Sequence, residues 1–193
     1  MDPPSRKRMI DLSNAIHGLA GRSALADELG RIAADYLVLF AAFVLAWLYL
    51  RQRSLRTFIA AGLAAVIAVG IAGLVGLVDY APRPFVAEHF APLIKHAADG
   101  SFPSDHLAAL GAVCGAAWFS ARGLSIATAV VAAVVAFARV YVGVHWVTDV
   151  VAGFGLGVVA GVAIWYAMAA ADPLVAQLDS ALRRWRMPPG TGD

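Results

Sequence analysis

Five stretches of this chain, at about 34–50, 57–79, 105–121, 124–142 and 148–171, are strongly apolar. Each has roughly the 17–25 residues needed to cross the hydrocarbon layer of a bilayer. A segment surrounded by lipid must satisfy its own backbone hydrogen bonds, so all five are expected to be helices. The whole-chain balance agrees. Of the 193 residues 61% are hydrophobic and 15% charged, against about 45–50% and about 25% in soluble domains. The expected fold is all-α, a polytopic membrane helix bundle with about five transmembrane helices in a single domain spanning 1–193.

The flanks read differently. Residues 1–31 mix Asp11, His17, Arg22, Asp27, Glu28 and Arg31 with apolar residues at helical spacing, the pattern of an amphipathic helix lying in the interface. No continuous apolar core follows the basic residues near the N-terminus, so no cleavable signal peptide is expected. After the transmembrane core (34–171), residues 173–193 read as a short amphipathic helix and a disordered tail. Arg51, Arg53 and Arg56, then Arg122, then Arg183, Arg184 and Arg186 all fall on one side of a five-span topology. The positive-inside rule makes that side cytoplasmic, tail included, although Arg6, Lys7 and Arg8 then lie on the other side. A net charge of +2 offers no broad basic surface for nucleic acid. Cys114 lies within an apolar run and reads as a small buried hydrophobe. Gly153, Gly157 and Gly161 recur every four residues; without a preceding strand this reads as close helix packing rather than a nucleotide loop.

Chemistry gathers on the opposite, outer side. The loop at 80–104 is longer than ordinary connections, which points to function or disorder. Arg83 sits between two prolines in "YAPRPF". "HAADGSFPSDH" carries His96, Ser104, Asp105 and His106. "ARVYVGVHWVTD" carries Arg139, His145 and Asp149. His145 and Asp149 are four apart and share a face if the fifth helix has begun, letting the carboxylate hold one imidazole nitrogen and leave the other as base or nucleophile. Arg83 and Arg139 offer forked donors suited to phosphate oxygens. Ser104 suits a helix N-cap, with the amides of Asp105 and His106 forming an anion site.

Plainer readings stand beside these. The two arginines can be snorkelling interface residues, Ser104 a simple cap, and His145 with Asp149 a structural pair. A zinc site of His106, His145 and Asp149 is conceivable, but two nearby arginines repel a dication. A Ser-His-Asp triad through Ser104 leaves the second histidine without a role.

In order and spacing, "PRP", "PSDH" and "R-x5-H-x3-D" resemble the three-part signature of the type 2 phosphatidic acid phosphatase (PAP2) superfamily. "RPFV" followed by "HAADGSFPSDH" is similar to its bacterial undecaprenyl-diphosphatase branch, as is the N-terminal helix. The resemblance implies His145 as a nucleophile forming a phosphohistidine, Asp149 orienting it, and His106 protonating the leaving group. It implies phosphoryl binding by Arg83, Ser104, Asp105 (through its amide) and Arg139, and needs neither metal nor other cofactor. Two positions depart from the signature: the family lysine falls at Gly76, and the serine before Arg139 is Ala138. Lys95, His89 or His96 are candidates for the missing positive charge.

The expected activity is hydrolysis of undecaprenyl diphosphate, a polyprenyl diphosphate lipid, to the monophosphate at the outer (periplasmic) face of a bacterial inner membrane. That would recycle the carrier lipid for peptidoglycan and cell-wall synthesis and bear on bacitracin resistance. The alternatives are a phosphatidic acid or phosphatidylglycerophosphate phosphatase, and a non-catalytic lipid-phosphate binder or transporter. Oligomeric state is not legible.

Overall fold

The computed structural model describes residues 3–51 and 55–186. Among them the ordered elements are all helical. The tail after Arg186 and Arg53 of the basic loop, both used in the sequence reading, lie outside the described residues.

The amphipathic stretch forms two helices rather than one. α1 (Pro3–His17) ends before Gly21, whose positive φ breaks the path, and α2 (Ala24–Tyr36) starts at Ser23, whose Oγ accepts from the Ala26 amide. A single 3-10 turn joins α2 to α3 (Phe40–Leu50), so the apolar path from Ala24 to Leu50 is 27 residues long. Next come α4 (Leu55–Val78) and a four-residue helix α5 (Pro84–Ala87), with proline at its first position, where no amide partner is needed. α6 (Asp105–Ala117), α7 (Arg122–Tyr141), α8 (Val147–Ala167) and α9 (Asp172–Arg186) complete the chain.

Four of these segments are long and apolar enough to cross a membrane: 24–50, α4, α7 and α8. The fifth expected span, 105–121, is helical for only 13 residues as α6. α6 is the centre of the bundle, packed by α4, α7 and α8 and buried along most of its length. Protein rather than lipid surrounds it, so its length need not match the bilayer. The outer helices turn Leu74, Leu77, Val130, Phe137, Val151 and Val159 outward, an apolar exterior suited to acyl chains.

Small residues bring the backbones together. A Cβ at Gly153, Gly157 or Gly161 of α8 would collide with the carbonyl oxygens of Ser104, Ala108 and Ala112 respectively. Gly111 and Gly115 of α6 meet α8 in the same way at Phe154 and Val158. On the other flank Ala64, Ala68 and Ala72 of α4 pack on Ala108 and Ala112. In a bilayer, where apolar burial gives no drive between helices, close van der Waals contact of this kind supplies the association. The four-residue glycine period is therefore a packing seam.

The antiparallel run sets two ends. The starts of α6 and α8 meet the ends of α4 and α7, and the polar outer loop lies there. At the opposite end Arg51, Arg56 and Arg122 lie over the rings of Trp47, Trp165 and Trp118 at 5.6, 4.2 and 5.4 Å. α1 packs against α7 and α8 at the polar end, so exposed Lys7 and Arg8 fall there, on the side opposite Arg51, Arg56 and Arg122.

Candidate active site

Arg83 follows Pro82 in extended conformation and turns its guanidinium inward, where it is 5% exposed. Its Nε donates to Asp99 Oδ1 at 2.8 Å, Nη1 to the Val144 carbonyl at 2.9 Å, and Nη2 to the Gly100 carbonyl at 3.2 Å. Arg139 comes from the last turn of α7 and is 2% exposed; Nη1 reaches the Ala34 carbonyl at 3.4 Å. Between the two guanidiniums stands His145. Its Nε2 is 3.4 Å from Arg83 Nη1 and 3.2 Å from Arg139 Nη2.

Those contacts assign the tautomer. A guanidinium has only N–H groups to give, so Nε2 of His145 must meet both with its lone pair, and the ring proton sits on Nδ1. Nδ1 faces Asp149 Oδ2 at 3.5 Å, too long for a well-formed hydrogen bond. The same carboxylate oxygen accepts from the Trp146 amide at 2.8 Å, which fixes Asp149 at the third position of α8 as a cap on its own helix. His145 itself precedes α8, which begins at Val147, so the two residues are not successive turns of one helix face. They meet because a carboxylate three positions into a helix turns back over the start. Burial pushes the His145 pKa down to about 4, with Arg139 and Arg83 adding to the shift and Asp149 opposing it. The imidazole is neutral at pH 7.

The turn that carries His145 is braced by the N-terminal helices, a role the sequence reading missed. Ser13 of α1, 3% exposed, accepts the Val147 amide at 3.0 Å and donates to the Met9 carbonyl. His17 Nδ1 bonds the Tyr141 carbonyl, and the Tyr141 hydroxyl donates to Asp27 at 2.7 Å. Gly143 has φ of 85°, and a side chain there would meet the rings of His17 and Phe90. Only glycine suits both the turn and that close approach.

The start of α6 closes the site. Ser104 is fully buried at the N-cap position; its amide donates to the Asp149 carbonyl at 3.0 Å, while its Oγ makes no hydrogen bond with a described residue. Asp105 Oδ1 accepts from the His106 amide at 2.8 Å and from His106 Nδ1 at 2.9 Å. The His106 amide, one of the two expected to form an anion site, is thus already taken by the Asp105 carboxylate. His106 Nε2 has no hydrogen bond among the described residues. A pocket of about 160 Å³, partly open to the outside, is lined by residues that include Gly76, Arg83, Asp99, Gly100, Pro103, Asp105 and His145. His106 is not in that lining; it is the next residue along from Asp105.

The outer loop contributes unequally. His96 Nε2 is 3.1 Å from Arg139 Nη2, whereas Lys95 is exposed and makes no hydrogen bond or ion pair with a described residue. Asp99, quoted within the sequence motif but given no role, is the carboxylate on Arg83. Burial works to raise its pKa, but the hydrogen bond and charge of Arg83 outweigh that and hold it below the ordinary carboxylate range. Gly76 stands on the pocket wall, and a Cβ there would find ordinary contact, 3.6 Å from the Phe102 carbonyl. Among the described residues, no three His, Cys, Asp or Glu side chains are placed to hold a metal ion.

Fold and site together define a multi-pass helical membrane protein with a pocket lined by the Arg83 guanidinium and a neutral imidazole, His145, beside which a second buried guanidinium, Arg139, stands outside that lining. Residues 71–172 match the model of the PAP2 superfamily. The chain is 33% identical over 153 residues to the undecaprenyl-diphosphatase BcrC of Bacillus subtilis, covering 78% of this chain and 79% of that one. Its fold is similar to that of the transmembrane PAP2-type phosphatidylglycerolphosphate phosphatase of the same organism, at TM-score 0.55 and 25% identity, over 96% of this chain and 90% of that one. The Aquifex aeolicus LpxE crystal structure shares the fold at TM-score 0.63 and 19% identity, over 80% and 92%. The chain belongs to the PAP2 superfamily, a family of phosphatases.

Proposed function

We propose that this chain is an undecaprenyl-diphosphate phosphatase working through a phosphohistidine. The observation that carries the reading is the lone pair of His145 Nε2 aimed between the donors of Arg83 and Arg139. A terminal phosphoryl group drawn in by both arginines would bring its phosphorus to the one nucleophilic atom between them. Nε2 forms the N–P bond as the bond to the bridging oxygen breaks. His106 gives its proton to the departing lipid phosphate. In the second step His106 takes a proton from water, whose oxygen bonds to phosphorus as the N–P bond breaks, returning the lone pair to Nε2 and releasing inorganic phosphate. Phosphoryl transfer asks the protein mainly for positioning and for neutralising the equatorial oxygens, and fixed arginines do both.

The similarity to BcrC over most of both chains supports a diphosphate lipid as substrate. The likeness to a phosphatidylglycerolphosphate phosphatase makes that lipid the competing one. Full-length protein in lipid nanodiscs, with EDTA present, should turn over undecaprenyl diphosphate with kcat/KM at least about tenfold above phosphatidylglycerophosphate and phosphatidic acid, a difference of about 1.4 kcal/mol. Equal or reversed preference sinks the substrate assignment.

The site faces the outside of the cell in this reading, because the arginine-tryptophan end, with its short basic connections, is the cytoplasmic one. With Cys114→Ala as background, a cysteine introduced by Lys95→Cys should react with a membrane-impermeant maleimide in intact spheroplasts. Labelling only after lysis would reverse the orientation.

A further inference from the structure

His96 shares a donor with His145. Arg139 Nη2 carries two hydrogens, and it lies 3.1 Å from His96 Nε2 and 3.2 Å from His145 Nε2. The His96 Nε2 therefore also accepts, and its proton sits on Nδ1, 3.2 Å from the Ala97 carbonyl. The two rings stand edge to face with centroids 6.4 Å apart. The charged groups around His96 are Arg83 from the outer loop, Arg139 from α7, and Asp99, whose Oδ1 is 3.8 Å from Nδ1. Burial, then the charge of Arg83, holds the ring below the usual histidine range, so it is neutral while the pocket holds no anion.

An entering phosphoryl group changes that balance. Its oxygens compete for the Nη2 hydrogens of Arg139, and the His96 lone pair loses its donor just as negative charge arrives beside it. Resting on the phosphatase reading above, we propose that His96 is a proton-coupled phosphate ligand: neutral in the empty pocket, and an imidazolium donating Nε2–H to a phosphoryl oxygen once the substrate is bound. The proton comes from solvent. The bound anion raises the affinity of the ring for a proton, so by linkage anion binding strengthens as pH falls through the bound-state value toward the free-state value, by up to about tenfold per pH unit. The pocket thereby gains a third cation that exists only when phosphate is present. Without substrate, Arg139 and Arg83 face no additional positive charge.

The test uses full-length protein and inorganic orthophosphate, read as competitive inhibition of lipid hydrolysis and separately as stabilisation against thermal unfolding. Wild type is compared with His96→Gln and with His96→Gln/Gly76→Lys at pH 5.5, 7.0 and 8.5. Gly76 lines the pocket that Arg83 and His145 also line, with room for a side chain, and a lysine there keeps its charge throughout. The ligand's own titration cancels in each ratio. His96→Gln should weaken phosphate binding by about tenfold at pH 5.5 and by under about twofold at pH 8.5. The double variant should recover affinity and hold it at pH 8.5. A loss of the same size at every pH means that His96 only positions Arg139, and no loss removes it from the site; either overturns the proposal while wild-type turnover leaves the phosphatase reading intact. Wild type that neither binds orthophosphate nor hydrolyses a lipid phosphate fails the phosphatase reading itself. Should His96→Gln not fold, His96→Lys carries the test: its phosphate affinity relative to wild type at the same pH must rise by about tenfold between pH 5.5 and pH 8.5, and a ratio that does not change with pH overturns the proposal.

Discussion

His145→Ala should lower kcat/KM by at least about 10⁴-fold, roughly 5.5 kcal/mol of transition-state stabilisation, while orthophosphate still binds. The substitution removes the atom proposed to attack phosphorus and leaves both guanidiniums with their other partners, since Arg83 keeps Asp99, Val144 and Gly100. Rapid-quench trials with terminally ³²P-labelled lipid should trap acid-labile label on wild-type protein and none on the variant. Residual turnover within tenfold of wild type would mean that water attacks directly. The same residue fixes the acid limb of the pH profile. A nucleophile whose pKa is pushed down to about 4 keeps its lone pair through the mildly acid range. kcat/KM, which reports the free enzyme, should therefore hold until about pH 5 and fall tenfold per unit only below about pH 4. An acid limb centred near pH 6.5 would indicate an imidazole with ordinary exposure to water.

Gly157→Leu should abolish folded protein, the second large effect. A Cβ at this position would run into the Ala108 carbonyl and lie 2.6 Å from the Ala112 amide nitrogen, backbone atoms that cannot swing aside. Separating α6 from α8 to make room would cost about 3 kcal/mol or more and would pull Ser104 from Asp149, whose backbones are hydrogen-bonded at the site. Gly155→Leu is the matched control, because Gly155 is exposed on the same helix and a Cβ there would meet nothing within 4 Å. Size-exclusion profiles after mild heating should show the Gly155 variant monodisperse and the Gly157 variant aggregated. Equal behaviour of the two would refute the packing seam.

The helices were largely legible in the sequence because lipid leaves so little choice: long apolar runs must become helices, and four of the five expected spans are helices of the required length. The shortness of α6 was not legible, since hydropathy cannot distinguish a helix wrapped in protein from one wrapped in lipid. The same ambiguity hid the join of α2 to α3, where an amphipathic stretch continues into an apolar one. At the site, spacing drew attention to Arg139, His145 and Asp149, but the helix starts after His145, and the pairing depends on cap geometry instead. Asp99 on Arg83, Ser13 on the Val147 amide and the Ala34 carbonyl near Arg139 are contacts across 16, 134 and 105 positions. No local pattern encodes such distances. Lys95 and His96 are adjacent in sequence, yet the loop turns one to solvent and the other onto Arg139.

At 1.5 Å per residue, the 13 residues of α6 measure about 20 Å, well short of the roughly 30 Å of hydrocarbon around the bundle. A post that short, fenced on its flanks by longer helices of its own chain, can carry serine, aspartate and histidine at its tip without setting any of them against an acyl chain. The enclosing walls set that polar tip apart from the apolar exterior of the bundle. A lipid can then offer its polar end sideways while its tail stays dissolved where it already is.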